Sequence, residues 1–487
     1  MASDSIAMPG VPAAGRLYKV PDPYPLTLAG LIAAMGPQAI NFGISIGGGE
    51  TMLIPRAAAL GATNMFWLMT VSAILETVVV IECVKHALVT GRSFFAATRD
   101  LPGGKFWPYF WAAAAFLTFF WPAWMSGAAN ALAKLTGLLN PYWWSVIGLL
   151  LCLAVFWFSP HIYGTVSKLF IAIMWINIVT VLIMVFVIAT PQDILHVISG
   201  YLNPFTSLPQ PLPADHPTAA GQKFRLEEVC ALFNQPGGSL MWVSLWALEA
   251  GWGMGRYYGK VTGVLRPPEK INTEVLKWDY NDPGEVKKMK GWVAIGDWSQ
   301  IVWWTIIGAF FMTFLYGTIG HAYLFKQGVV KSGGDIPLQI AYVAGGIGGP
   351  LLLTIFLVFI VATLYDAEFA YYDTFIGRTV TEGIATNNPR IVTAKRPYRW
   401  YYLLVVTTVI VCGFYLLTVN QPYELWLISA FGSLIWRSLA AIQIWYLNRR
   451  LPDPFKPGAI RSSLLWLTFI SGLAVDALWA YAYFNKL

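Results

Sequence analysis

Glu50 stands at the end of a glycine run inside an otherwise apolar stretch, Ile40-Asn41-Phe42-Gly43-Ile44-Ser45-Ile46-Gly47-Gly48-Gly49-Glu50-Thr51. A second stretch is interrupted in the same manner: Ala231-Leu232-Phe233-Asn234-Gln235-Pro236-Gly237-Gly238-Ser239. Glycine and proline both disfavour helix, and proline also removes a donor, so neither segment carries a continuous helix. In lipid, unpaired main-chain groups are tolerated only where they line a cavity or bind something. Helix ends at such breaks offer free amides, which suit anions, and free carbonyls, which suit cations. Glu50 decides the sign. A carboxylate at this depth costs at least about 2.5–3.5 kcal/mol and persists for a reason. Asn234 and Gln235 add neutral amide oxygens, while Gly47 and Leu232 can contribute only main-chain oxygens. These five residues form the candidate metal site, and an oxygen-rich set of this kind matches hard cations. Two plainer readings stand beside it: Glu50 as a hydrogen-bonded helix partner beside close-packing glycines, and Gln235 as an amide bonded across helices.

Other acids lie further along the chain. Asp366, Glu368 and Asp373 follow the apolar run 351–365, and Asp366 and Asp373, seven apart, share a helix face. They read either as a cation-drawing inner vestibule or as solvated acids at a helix end. Glu76, Glu82, Arg437 and Asp476 are also placed inside apolar runs, and structural pairing is the better reading for them. Arg437 is deep enough to need Glu76 or Asp476. The segment Trp252-Gly253-Met254-Gly255-Arg256 has the look of a phosphate loop but follows no strand, which removes the reading.

The elements that must position these groups are membrane helices. Hydrophobic residues make up 57% and charged residues 12% of the 487-residue chain, against about 25% charged in soluble domains. Mean hydropathy is +0.57. Apolar runs of spanning length recur near 30–59, 64–89, 108–135, 142–158, 162–190, 225–255, 292–325, 347–382, 400–419, 422–448 and 461–484. The expected fold is all-α, a polytopic membrane protein of about eleven spans in one domain over 26–487, after a polar cytoplasmic segment 1–25. Lys and Arg crowd one set of connections, leaving only Lys134, Lys223, Arg225, Lys326, Lys331 and Lys486 on the other side. That asymmetry predicts a cytoplasmic N-terminus and an outer C-terminus. It also accounts for the net charge of +7, so no nucleic-acid partner is expected. Cys83, Cys152, Cys230 and Cys412 are dispersed through the spans and suggest neither a disulfide frame nor a metal cluster. No nucleophile–base pair is visible, so no enzyme is expected. Ten spans divide into two fives, which places the broken segments at the first span of each half, where an inverted repeat brings them face to face.

From Gly36-Pro37 through the first break to Trp67 and Thr90-Gly91-Arg92, the sequence resembles the Nramp family of divalent-metal transporters. The family's Asp-Pro-Gly-Asn falls on Gly47-Gly48-Gly49-Glu50, and its Met-Pro-His on Gln235-Pro236-Gly237. The resemblance implies a LeuT-like five-plus-five inverted repeat with broken first and sixth helices, in a bacterial inner membrane, with the metal as cargo and no cofactor. A divergent branch with Ile-Gly-x-Gly-Glu at the first break is closer still. The departures are chemical. The metal-binding aspartate is Gly47, the asparagine is Glu50, and the soft thioether is replaced by Gln235. These exchanges should favour magnesium or manganese over softer ions. The family's sixth-span histidine is Gly237 and the third span, around 121–130, carries no acid, so proton coupling is not expected. Two alternatives keep the fold and change the role: an organic-solute symporter of the same superfamily, with the substrate carboxylate on the free amides, and a non-transporting scaffold or sensor. Oligomeric state is open.

Overall fold

A computed structural model describes residues 17–45, 50–212, 215–216, 223–235, 237, 239–330, 333–390, 392–393, 395–418 and 422–485. Gly47 and the rest of 46–49, together with Pro236 and Gly238, lie outside the described residues. The described chain is helical throughout, and its one isolated β-bridge pairs Tyr18 with Trp278.

The helices are α1 (Met35–Ser45), α2 (Thr51–Ala59), α3 (Trp67–Thr90), α4 (Phe106–Phe119), α5 (Ala123–Thr136), α6 (Pro141–Phe158), α7 (Ile162–Ile188) and α8 (Pro191–Leu202). The second half contains α9 (Leu226–Leu232), α10 (Val243–Glu249), α11 (Pro283–Phe325), α12 (Asp335–Asn387), α13 (Tyr398–Leu416), α14 (Pro422–Asn448) and α15 (Ala459–Asn485). Among the described residues, seven helices are long and apolar enough to cross a membrane. Their outward faces carry large apolar side chains such as Phe186 and Leu351, as lipid-facing surfaces do.

Local chemistry explains the interruptions. The 108–135 run divides into α4 and α5 because Pro122 cannot donate and biases Trp121 away from helix. The long α12 bends at Gly348 and Gly349, the latter at φ 68°, a conformation open to glycine. Pro350 immediately follows. Within the connection after α7, Thr190 and Asp193 cap α8 reciprocally, which gives that loop a helix of its own. Residues 17–25 lie against the basic connections: the Val20 amide donates to Glu285 Oε2 at 2.5 Å and the Tyr18 amide to the Lys277 carbonyl at 2.9 Å.

The broken pairs sit at the centre. Helix α1 packs on α7, α11, α12 and α10, and α2 on the second half of α11, while α9 leans on α14 and α15 and α10 on α3. Every residue of α2 except the half-buried Arg56 is buried, as is all of α10. A segment enclosed on every side by apolar helices has no water for its unpaired groups, so each needs a partner from the protein or its ligand.

Candidate functional site

Helix α1 ends at Ser45 and α2 begins at Thr51, with Glu50 just before it in a helical conformation (φ −68°, ψ −38°); the expected first break at 47–49 lies outside the described residues. In the second, α9 ends at Leu232 and helical geometry resumes at Leu240. Leu240 takes φ 45°, a left-handed conformation that a branched side chain enters only at a cost of order 1–3 kcal/mol. That strain is located where the chain turns back into α10.

The two breaks are tied to each other and to the scaffold. Asn41 Oδ1 accepts the Ser239 amide at 2.7 Å, so a side chain of the first span satisfies a donor of the second break. Ser45 Oγ donates to the Asn41 carbonyl at 2.9 Å and accepts Trp304 Nε1–H at 2.9 Å. Across the break, Gln339 donates to the carbonyls of Thr51 and Met52 at 2.9 and 2.6 Å. Arg437, fully buried on α14, donates to the Phe233 carbonyl at 3.1 Å and to Ser72 Oγ at 2.6 Å. Its other neighbour is Glu76, at 3.8 Å.

Between the breaks lies a cavity of about 30 Å³, room for roughly two waters. Ser45 borders it from α1, and Asn234, Gln235 and Gly237 border it from the second break, with Ser429 and Ser433 of α14 opposite. The remaining wall is aromatic. Trp242 stacks on Phe375 at 4.0 Å, and Trp124 on Tyr371 at 4.2 Å. The Trp242 ring is held in place by its Nε1–H bond to Thr379 at 2.8 Å.

The candidate residues occupy distinct settings. Asn234 and Gln235 face the cavity together, and Gln235 Oε1 accepts the Gly237 amide at 3.3 Å. The Leu232 carbonyl accepts the Gln235 amide at 3.0 Å, which leaves it one lone pair. Glu50 is fully buried, and among the described residues neither carboxylate oxygen has a side-chain hydrogen-bond partner. It is absent from the described cavity wall, yet it lies within electrostatic reach of Tyr371, which belongs to that wall. Gly47 lies outside the described residues.

The three acids of α12 are likewise separate. Asp366 is buried with both oxygens unbonded, and it faces α1 closely enough that a Cβ added at Gly43 would fall 2.9 Å from Oδ2. Glu368 Oε2 accepts the Met125 amide at the start of α5, at 3.0 Å. Asp373 is consumed by a buried network, accepting from Arg378 at 3.1 Å, Thr374 at 2.8 Å and Tyr402 at 2.7 Å, while Arg378 also pairs with Glu249. The helix is π-wound over Tyr371–Arg378. A π turn takes more residues than an α turn, so the winding from Tyr371 onward rotates Asp373 somewhat away from the position an unbroken α-helix would give it relative to Asp366. Among the described residues no group of three or more His, Cys, Asp or Glu could hold a metal. The donors that border the cavity are amides, hydroxyls and main-chain oxygens, and Glu50 is not among its lining residues.

Sequence reasoning passed over Asn41 and the aromatic wall. Asn41 had a visible signal, a polar amide one helical turn before Ser45 in an apolar run. The aromatics had none, because such residues are spread through every span.

No family model matches the chain, and no curated protein matches it in sequence. Solved structures do. A manganese transporter of Eremococcus coleocola aligns with TM-score 0.63 at 16% identity, over 94% of this chain and 88% of that one. The same transporter with an aromatic bis-isothiourea compound aligns at 0.59 and 15% identity over the same shares. Mhp1, a nucleobase-cation-symport-1 family transporter in a closed conformation with bromovinylhydantoin bound, aligns at 0.51 and 16% identity, over 92% and 91%. The shared architecture is the LeuT-like fold, an all-helical membrane architecture.

Proposed function

We propose that this chain is a secondary transporter that carries a divalent metal cation, magnesium or manganese in preference, by alternating access around the two breaks. The observation that carries the reading is Glu50: a carboxylate completely removed from water, next to the glycine run of the first span, with neither oxygen bonded among the described residues. A buried charge needs a compensating one, and a cation entering the break supplies it. Asn234 and Gln235 supply amide oxygen and the Leu232 carbonyl has a lone pair to give, while the expected main-chain oxygen of Gly47 lies outside the described residues. A cavity of about 30 Å³ suits an ion that keeps part of its water, as magnesium does. It is far below the roughly 300 Å³ at which small-molecule pockets begin. Likeness of fold to a manganese transporter supports the same reading.

In this mechanism the bound cation offsets the Glu50 charge and its remaining positive charge is spread over the neutral amide and main-chain oxygens as the site turns from one side of the bilayer to the other. Arg378, Glu249 and Asp373 tie α10 to α12 in this conformation. The proposed placement is a bacterial inner membrane with the N-terminus in the cytoplasm. Uptake of magnesium, manganese, calcium and cadmium into proteoliposomes tests the proposal, which predicts saturable flux of the first two. An absence of any metal flux, with folded protein, would end it.

A second reading rests on the aromatic wall. The faces of Trp124, Trp242, Tyr371 and Phe375 would stack on a flat organic solute once the cavity widened. Mhp1, which holds bromovinylhydantoin, shares the fold. Uptake of labelled heterocycles and amino acids in the same vesicles separates the two.

A further inference from the structure

Away from the breaks, the ends of α3, α11 and α15 enclose a second cavity of about 280 Å³, lined by Lys85, Lys290, Asp297, Lys456, Gly458 and Arg461. Its two inner cations are already neutralised. Glu82 Oε1 accepts Lys85 at 2.7 Å and Arg461 at 3.2 Å, and Asp297 accepts Arg461 at 2.7 Å. The outer two are not. Lys290 is exposed, and the partner of Lys456, Asp453, is 89% exposed and therefore holds it weakly. The first turn of α15, from Ala459, begins at the same wall and adds main-chain N–H groups with no helical acceptor. The cavity therefore presents one cation without an ion pair among the described residues, Lys290, and one held only by an exposed carboxylate, Lys456, on a neutralised floor beside a helix N-terminus.

The same turn of chain borders a second, open groove of about 610 Å³ between α14 and α15. There Arg449 lies over the Trp445 ring at 4.9 Å, and Trp445 meets Trp466 edge-on at 5.3 Å. Below them Leu467 and Ile470, 49% and 60% exposed, continue the groove down a spanning helix. A basic cavity at a helix end, followed by an indole pair and then apolar side chains, has the polarity profile of a phospholipid from headgroup to acyl chain.

We propose that this corner binds an anionic phospholipid, its phosphate between Lys290, Lys456 and the start of α15 and an acyl chain along the Trp445–Trp466 groove. A soluble phosphate ester would use the same cations but has no use for the groove, which is why the lipid is the stated occupant. The site is independent of what the breaks transport.

The purified full-length protein in detergent, titrated with phosphatidylglycerol and separately with phosphatidylcholine, tests this by native mass spectrometry and thermal unfolding. Phosphatidylglycerol should remain bound and raise the unfolding temperature, with phosphatidylcholine much weaker. The Lys290→Gln/Lys456→Gln variant, altered only at surface side chains, should bind phosphatidylglycerol about tenfold more weakly. A charge-matched control, Lys277→Gln/Arg390→Gln, removes two exposed cations outside the cavity and should bind as the unaltered protein does. Equal losses in the variant and the control would reduce the effect to general surface charge and overturn the site. Displacement of the lipid by millimolar inorganic phosphate, or equal binding of the two lipids, would overturn the lipid assignment.

Discussion

The guanidinium of Arg437 reaches the main-chain oxygen of Phe233 at 3.1 Å, across 204 residues of sequence. This bond closes one of the carbonyls left without an acceptor role where α9 stops. It also holds a positive charge behind the second break, with the Phe233 ring 4.9 Å from the guanidinium carbon. Glu76 and Ser72 on α3 share the same cation, so one side chain joins α3, α14 and the break. The break is held open by a buried ion, not by glycine alone.

Substitution of Arg437 therefore acts on the scaffold before it acts on transport. Arg437→Leu removes the cation from Glu76 and the donor from Phe233, and should destabilise the protein by about 3–5 kcal/mol, the usual effect of breaking a buried ion pair. Arg437→Leu/Glu76→Leu removes both charges and should recover part of that loss. Thermal unfolding of the purified variants measures both. A single variant as stable as the unaltered protein would show that the pair contributes nothing.

Glu50 should behave oppositely, as a residue of function whose removal is tolerated by the fold. Both its oxygens are unbonded, so Glu50→Gln deletes a buried charge without breaking a hydrogen bond. Folding should be retained or improved, and cation affinity should fall at least tenfold. Calorimetry against magnesium and manganese reads the affinity directly. Unchanged binding by well-folded protein would make Glu50 a packing residue.

How far these features could be read from the sequence depends on their range. The second break was visible because glycine and proline act locally, on the residue where they stand; the expected first break at 47–49 lies outside the described residues. The spans were visible because hydrophobic length is a local property too. The division at Pro122 and the bend at Gly349 belong to the same class, though the apolar runs that contain them conceal both. Pairing was legible only in part. Arg437 was expected to take Glu76 or Asp476 and does lie 3.8 Å from Glu76, but its bond to Phe233 depends on how α14 packs against α9. The distinct partners of Asp366 and Asp373 were not legible for a related reason: the first lies against Gly43 of α1 and the second bonds Arg378 and Tyr402, contacts set by tertiary packing.

Selectivity should turn on Gln235. Its amide oxygen lies at the cavity where the resembling family has a thioether, and a hard donor favours ions that bind oxygen and retain water. Gln235→Met should shift competitive uptake in proteoliposomes toward manganese, iron and cadmium and away from magnesium, by roughly tenfold in the ratio. A protein that already prefers cadmium before the substitution would contradict the oxygen-site argument.

Coupling to protons is the sharpest test of the whole site. Gly237 and an acid-free third span leave the cavity without the groups that carry protons in the resembling family. Metal uptake should therefore proceed with little proton movement, as reported by a pH-sensitive dye inside the vesicles. Two carboxylates could still overturn this, because both are buried with unbonded oxygens: Glu50 beside the first break, and Asp366 against Gly43 on the helix that leads into it. Asp373 is a poorer carrier, since Arg378, Thr374 and Tyr402 already occupy it. If stoichiometric proton uptake is seen, Asp366→Asn and Glu50→Gln distinguish the carriers. Loss of the proton signal with metal flux retained in Asp366→Asn would assign coupling to α12. Loss of both in Glu50→Gln alone would place metal and proton on one carboxylate, where they must compete, and uptake would then fall as the pH on the metal-entry side is lowered.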